Sequence, residues 1–270
     1  MTSEGRILED LRELVTRESP SDDAAAVSAL AAWICERLSG SGVKSATVSC
    51  PGRGDAVTAE VGSHGGGPAT LLLGHIDTVW PVGTLREIPF SVADGVVRGP
   101  GVFDMKAGAA VAFSVLERLA SRSGSPRVTL LLVPDEEVGS AASHDLLIRL
   151  AKQHDRVLVL EPSAPGGAAK IARKGTGQFR VLFKGVPAHA GLEPEKGASA
   201  LAALAEFVQA SPGFASAPLG TTVTPTLAQA GSKANVVPEF AEVTLDCRVW
   251  SPEEPARVEA ALRAFRPSDP

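Results

Sequence analysis

Cysteine is scarce in this chain of 270 residues, and its distribution excludes two structural classes. The three cysteines, Cys35, Cys50 and Cys247, lie far apart and form no Cys-x-x-Cys pair. This pattern argues against a disulfide framework and against a zinc finger, and it favours ordinary thiols in a reducing compartment.

Basic runs and long apolar runs are also missing. The net charge of -5 argues against a nucleic-acid-binding scaffold. No stretch approaches the length of a membrane span, and residues 1–10 are charged and lack the apolar core of a signal peptide. We therefore expect a cytoplasmic protein that binds neither nucleic acid nor membranes.

The first part of the chain has the pattern of an α/β domain. Hydrophobic residues make up 44% of the sequence, which is enough for a sizeable core in one large or two ordinary domains. Apolar periodicity predicts helices over 7–15, 22–38, 105–119 and 143–152, and strands over 56–61, 70–74, 92–97, 128–133 and 157–160. Buried strands that alternate with helices predict a mostly parallel sheet with helices on both faces.

The pattern changes near residues 166–167. Strands are predicted over 168–173, 177–184, 222–230 and 241–249, with helices over 197–210 and 252–265. This order predicts a smaller α+β domain whose sheet has one open face. A boundary near residues 173–175 divides the chain into domains 1–173 and 174–270.

His75 ends a buried apolar strand, and Asp77 follows two residues later. Positions two apart on a strand point the same way, and open α/β sheets place their sites at the carboxyl ends of strands. A metal-bound histidine usually donates its other ring nitrogen to a carboxylate. The run fits such a pair, and it equally fits a strand that stops at a polar loop.

Acidic residues follow the next predicted strands. Asp104 precedes a helix, where it is either a ligand or a helix N-cap. Glu136 and Glu137 follow a buried strand, as a solvated turn or as a metal ligand beside a general base. Glu161 ends another strand. Together with His75, these carboxylates suit divalent ions, and a shared carboxylate can bridge two.

Several motifs give the chain a family resemblance. Residues 74–79 (GHIDTV), 101–108 (GVFDMKAG) and 135–140 (DEEVGS) resemble the M20 metallopeptidases, and most of all their glutamate carboxypeptidase branch. The resemblance continues in the family's order through residues 188–191 (AHAG), 194–200 (PEKGASA), 235–238 (NVVP) and 246–248 (DCR). It covers almost the whole chain.

The resemblance implies a centre that binds two zinc ions. His75 and Glu161 would bind one zinc, Glu137 the other, and Asp104 would bridge them. Asp77 would orient His75.

Catalytic and substrate-binding roles are implied in the same way. Glu136 would act as general base toward the attacking water and pass the proton to the leaving amine. His189 would stabilise the oxyanion, in the family usually across a dimer interface, and Asn235 and Arg248 would hold the substrate's carboxylate or nearby polar groups. Outside this context, these three residues fit an exposed loop histidine, a turn former and a residue on a solvated face.

The implied activity is metal-dependent hydrolysis of an amide bond. The resemblance favours a carboxypeptidase that releases a C-terminal amino acid such as glutamate and that forms a homodimer through the smaller lid domain. An N-acyl amino acid deacylase and a non-catalytic, truncated binding or dimerisation protein are the alternatives.

The family's catalytic domain normally resumes after the lid and there supplies a further histidine ligand. No histidine follows His189 in this sequence. We therefore expect the C-terminal return segment to be absent, a sheet edge to be uncovered, and the second metal to keep only Asp104 and Glu137.

Overall fold

The computed structural model describes residues 3–63 and 67–268, and the chain divides into two units, 1–168 and 169–270. The division falls a few residues before the predicted boundary. Within the described ranges, no helix is long and apolar enough to cross a membrane. The glycine-rich sequence at residues 65–68 also predicts a turn, of which residues 65 and 66 lie outside these ranges.

Unit 1 contains the predicted helices, a five-stranded sheet and a separate two-stranded sheet. The helices are α1 (Ser3–Thr16), α2 (Ala24–Ser39), α3 (Ala107–Ala120) and α4 (His144–Ala151). The strands are β1 (Lys44–Cys50), β2 (Gly54–Val61), β3 (Thr70–His75), β4 (Ser91–Ala93), β5 (Val96–Arg98), β6 (Val128–Val133) and β7 (Arg156–Val159). Strands β4 and β5 form the two-stranded sheet. Helix α2 begins after Asp23, whose side chain accepts hydrogen bonds from two backbone N–H groups of the first turn.

The sheet of unit 1 is mixed, with the strand order β1-β2-β6-β3-β7. Strands β6, β3 and β7 are parallel, whereas β1, β2 and β6 pair in antiparallel fashion. The expectation of a mostly parallel sheet therefore needs correction. Its physical reason is β1, which the sequence did not reveal: a three-residue connection joins it to β2, and such a short turn allows only an antiparallel pair.

Helices cover both faces of this sheet, as predicted. On one face, Leu14, Ile34 and Phe113 bring α1, α2 and α3 into a common core. On the other face, Leu146 of α4 packs against strand residues such as Leu131. The helices on the two faces therefore hold the carboxyl ends of β3 and β6 in fixed positions.

Two predictions about strands were wrong. Strand β7 was expected to be buried, but all four of its residues are exposed, because only β3 pairs with it in the part of the chain that the structure describes. Residues 168–173 were expected to form a strand. They pair with no neighbouring strand, and Ile171 is 96% exposed.

Unit 2 has the predicted order of strands and helices. It contains β8 (Gly175–Lys184), α5 (Ala200–Ala210), β9 (Thr222–Ala230), β10 (Phe240–Val249) and α6 (Glu254–Ala264), with the antiparallel order β8-β10-β9. Alternate residues of β10, including Val243 and Leu245, are buried with Phe207 and Val258 of the helices. The opposite face carries polar residues such as Glu242 and Arg248 together with exposed apolar residues such as Leu182 and Leu227, so one face of the sheet is open as expected.

A polar cluster ties together the three helices on one face of unit 1. The Arg37 guanidinium donates to both carboxylate oxygens of Asp10, at 2.7 and 2.9 Å, and to Glu117 at 2.6 Å. These groups are mostly buried. Arg37 therefore compensates two carboxylates that come from two different helices.

We expect the Arg37→Met variant to lose about 3 kcal/mol of unfolding free energy, because both carboxylates stay in place without their main counter-ion. Urea unfolding followed by circular dichroism measures the loss. Arg263→Met is the control, since Arg263 pairs with Glu259 at an exposed position and should change stability by less than about 0.5 kcal/mol. Equal effects of the two substitutions would contradict the prediction.

Candidate metal centre

His75 lies at the carboxyl end of β3, where Asp77 fixes the orientation of its ring. Its Nδ1 donates to the backbone oxygen of Asp77 at 3.0 Å and lies 3.4 Å from Oδ1 of the same residue. Both side chains are buried. Because a backbone oxygen can only accept, Nδ1 carries a proton in this arrangement, and a cation would bind at Nε2.

Carboxylates surround Nε2 of His75. Nε2 of His75 lies 3.1 Å from Asp104, 3.4 Å from Glu161 and 4.0 Å from Glu136. Two groups have possible ligand atoms within 4.8 Å of one another: His75 with Asp104 and Glu137, and His75 with Glu136 and Glu161. The structure thus brings together all four predicted ligands and the predicted base.

The negative charges of this cluster favour the binding of a cation. Burial lowers the pKa of His75, but hydrogen bonds and charge from Asp77 and Glu161 outweigh burial and raise that pKa to about 11. The pKa values of Glu136 and Glu137 are raised, first by burial and then by neighbouring carboxylates. A divalent metal would supply positive charge at this place, and the oxygen and imidazole donors suit zinc.

Asp104 is placed by a tight turn and does not cap a helix. The turn begins at Gly101, whose φ is 69°, and the backbone at Asp104 is non-helical with a φ of -120°. The N-cap position of α3 belongs to Lys106. The alternative of a helix cap is therefore wrong, and the Asp104 carboxylate stays free to face His75.

Glu136 and Glu137 lie in a short turn that follows β6. Their backbone N–H groups donate to the two oxygens of Asp77, at 3.1 and 3.2 Å. The turn is therefore anchored to the histidine strand and is not simply a solvated acidic loop. Asp77 holds the ligand His75 and both glutamates at once.

The three candidate residues of unit 2 lie at two places. Nδ1 of His189 accepts from the backbone N–H groups of Gly191 and Leu192, both at 3.2 Å, so its Nε2 carries the proton in the neutral ring. The backbone oxygen of Asn235 accepts from Ala190, next to His189. Arg248 lies on the open face of β10, where it donates to Asp246.

Comparisons with known proteins show which families and chains are related to this one. The Peptidase dimerisation domain family of M20 proteins matches residues 171–268. Succinyl-diaminopimelate desuccinylase from Xanthomonas campestris pv. campestris (strain B100) is 31% identical over 97% of this chain and 73% of its own length. This chain belongs to the M20 peptidase family. Members of the family are hydrolases.

Other proteins similar to this M20 chain carry the names of different kinds of peptidase. Carboxypeptidase G2 from Pseudomonas sp. (strain RS-16) is 30% identical over 96% of the chain, which spans 63% of that relative's length. A tripeptidase from Staphylococcus aureus shares the fold, with a TM-score of 0.81, 20% identity and coverage of 96% and 70%. A dinuclear metal-binding M20 peptidase from Bacillus subtilis has a TM-score of 0.65, 17% identity and coverage of 97% and 68%.

Two residues near the candidate metal centre of this M20 chain were missed by the sequence analysis. Lys106 is buried, and its Nζ donates to the backbone oxygens of Leu14 at 2.8 Å and Arg17 at 3.1 Å. Burial lowers its pKa to about 7. Ser21 donates to Asp77 at 2.7 Å, although residues 19–21 lie between two predicted helices. The available signals were the lysine within the DMK motif and two serines around Pro20.

Gly108 lets α3 approach the strand end that carries Glu161. A Cβ atom at this position would clash with the backbone oxygen of Leu160 and with the side chain of Met105. Since Leu160 precedes Glu161, any relief of the clash moves a candidate ligand.

We expect Gly108→Ala to destabilise unit 1 by about 1–3 kcal/mol, the usual effect of overpacking, and to weaken zinc binding. Thermal unfolding and zinc titration measure the two effects. Gly213→Ala is the matched control, because a Cβ there meets no atom within 4 Å. Wild-type zinc affinity in Gly108→Ala would show that the close approach does not position Glu161.

Proposed function

We propose that this chain is a zinc-dependent amide hydrolase. The observation that carries the proposal is the convergence of His75 and the acidic side chains at the ends of β3 and β6, with ligand atoms within 4.8 Å of one another. Such a concentration of carboxylates in a partly buried place is unfavourable unless a cation binds there.

Each proposed ligand would hold one or both of the zinc ions. His75 and Glu161 would hold one zinc ion, Glu137 would hold the second, and Asp104 would bridge the two. When bound, the zinc ions polarise the scissile carbonyl and lower the pKa of a water molecule. Asp77 keeps His75 in the tautomer that can bind metal.

Glu136 is the proposed general base. It lies beside the ligands, with Oε2 4.0 Å from His75 Nε2, and burial and nearby carboxylates raise its pKa. A raised pKa lies closer to neutral pH, where the carboxylate can both accept and release a proton. Glu136 would take a proton from the attacking water and deliver it to the nitrogen of the leaving amine.

The residues of unit 2 would act on the substrate. We propose that His189 uses its Nε2–H to stabilise the oxyanion, and that Asn235 and Arg248 bind the substrate's carboxylate. Arginine suits that task because its rigid fork matches a carboxylate. The dimerisation-domain match supports a homodimer through residues 174–270, which light scattering after size-exclusion chromatography can test.

The reaction that we favour is release of a C-terminal amino acid such as glutamate. Exposed apolar residues lie close in sequence to the site residues: Val79 and Trp80 follow Asp77, Phe103 precedes Asp104, and Val138 follows Glu137. Phe103 is 75% exposed. Exposed apolar groups near a site favour a bulky apolar acyl group over a charged succinyl group.

A substrate panel and metal analysis test the proposal. The panel compares folyl-type and aroyl amides of glutamate, peptides ending in glutamate, N-acetyl amino acids and N-succinyl amino acids. About two zinc ions per chain and preferred hydrolysis of the aroyl glutamate amide are expected. Preference for N-acetyl substrates would replace the carboxypeptidase by the deacylase. A folded chain that binds no metal and is inert toward the whole panel would overturn the enzyme proposal.

We also assign the protein to the cytoplasm. Its three cysteines are free thiols, which fits a reducing compartment.

A further inference from the structure

The segment between α1 and α2 forms part of the support of the metal centre. The backbone N–H of Thr78 donates to Ser19 at 2.9 Å, and the N–H of Ser21 donates back to Thr78 at 3.1 Å. Both serines are buried. Residues 19–21 therefore pair with the stretch that directly follows His75.

The hydroxyl of Ser21 contacts the carboxylate that organises the centre. It donates to Oδ2 of Asp77 at 2.7 Å. The same Oδ2 accepts from the N–H of Glu137 at 3.2 Å, while Oδ1 accepts from the N–H of Glu136 at 3.1 Å and lies 3.4 Å from Nδ1 of His75. Among these contacts, that of Ser21 is the shortest.

We propose that Ser21 is a positioning residue for the hydrolytic reaction, because its hydroxyl fixes the Asp77 carboxylate that orients His75 and holds the Glu136–Glu137 turn. The inference rests on the proposed function. Ser21 would act through Asp77: its hydroxyl donates to that carboxylate and lies 3.3 Å from the backbone oxygen of Thr78. Residues that do not bind the metal themselves tune metal affinity and activity in this way, because their hydrogen bonds limit the rotation of the side chains that do.

Without this hydroxyl, Oδ2 of Asp77 keeps only the longer bond from Glu137. The carboxylate is then held less firmly, by the two backbone N–H groups of the turn alone, so its position relative to the His75 ring is less well fixed. Zinc affinity and kcat should both fall, whereas KM should stay near its wild-type value because no substrate contact changes.

Ser19 provides a matched control in the same segment. Its hydroxyl is also buried and donates to the backbone oxygen of Ile76 at 2.6 Å. The two serines thus lose comparable hydrogen bonds to the same stretch when each is replaced by alanine. Only the Ser21 bond ends at the Asp77 carboxylate.

The experiment compares Ser21→Ala with Ser19→Ala. Competitive zinc titration, steady-state kinetics and thermal unfolding are measured on the full chain. We expect Ser21→Ala to lose about 10- to 100-fold in zinc affinity and in kcat. Ser19→Ala should lower only the unfolding temperature, and Ser21→Thr, which keeps the hydroxyl, should restore both zinc affinity and kcat.

Wild-type zinc affinity and kcat in Ser21→Ala would overturn this inference alone and reduce Ser21 to a structural role. A wild-type chain that binds no zinc and hydrolyses no amide would overturn the proposed function itself. If Ser21→Ala does not fold, Ser21→Cys retains a side chain of similar shape with a much weaker donor, and the same comparison applies.

Discussion

A Glu136→Gln variant is expected to retain its zinc ions and to hydrolyse the amide substrate about 10²- to 10⁴-fold more slowly than wild type. Glutamine has nearly the same shape as glutamate, but its amide cannot accept a proton at neutral pH. The backbone N–H of Glu136 would keep its bond to Asp77, because that bond does not involve the substituted side chain. The effect should therefore appear in kcat with little change in the fold.

Glu137→Gln is the informative control, because it alters the adjacent carboxylate in the same turn. Glu137 is a proposed ligand, so this variant should lose zinc together with activity. Elemental analysis of both dialysed variants, combined with kcat measurements, separates the two roles. The assignment of the base fails if Glu136→Gln keeps its activity, or if its loss of activity merely follows a loss of zinc.

The meeting of the candidate ligands could be predicted because it depends on local rules. Strands β3 and β6 are parallel neighbours, and His75 pairs in register with Val133 at their carboxyl ends. Residues that directly follow these strands must therefore come close in space. That rule brings the Glu136–Glu137 turn next to His75, although the motif read alone slightly favours a solvated turn.

The contacts that support the centre could not be predicted in this way. Ser21 meets Asp77 across 56 positions of the sequence, and Lys106 reaches Leu14 near the end of α1 across 92 positions. Such contacts depend on how whole helices pack against the sheet. Nothing in the local pattern around a serine or a lysine reports which distant carboxylate or carbonyl it will meet.

The errors about strands have a related origin. Apolar character shows that the residues of β7 favour burial, but whether a strand is covered depends on its neighbours in the sheet. In residues 168–173, alternation has the period of a strand, yet a strand also needs a partner with matching hydrogen bonds. Hydrophobic pattern thus predicted type and order better than burial and pairing.

An Asp104→Asn variant is expected to lose zinc affinity by at least about 100-fold, because one substitution removes a charged donor from both proposed metal positions. Oδ1 of Asp104 lies 3.1 Å from His75 Nε2, and Asp104 belongs to the group formed with His75 and Glu137. Amide hydrolysis should fall in parallel. Asp145→Asn, at an exposed position in α4, is the control and should keep wild-type affinity.

The same variant should separate the metal-free from the zinc-bound protein. In the metal-free protein, Asp104 adds negative charge next to Glu137 but also lies 3.1 Å from Nε2 of His75, so its neutralisation should change the unfolding temperature little. Zinc at 100 times its dissociation constant should stabilise the wild type by about 2.7 kcal/mol and Asp104→Asn far less. Thermal unfolding with chelator and with zinc measures both effects. An equal zinc-induced shift in the two proteins would show that Asp104 is not a ligand, because a binding ion stabilises only the state that holds it.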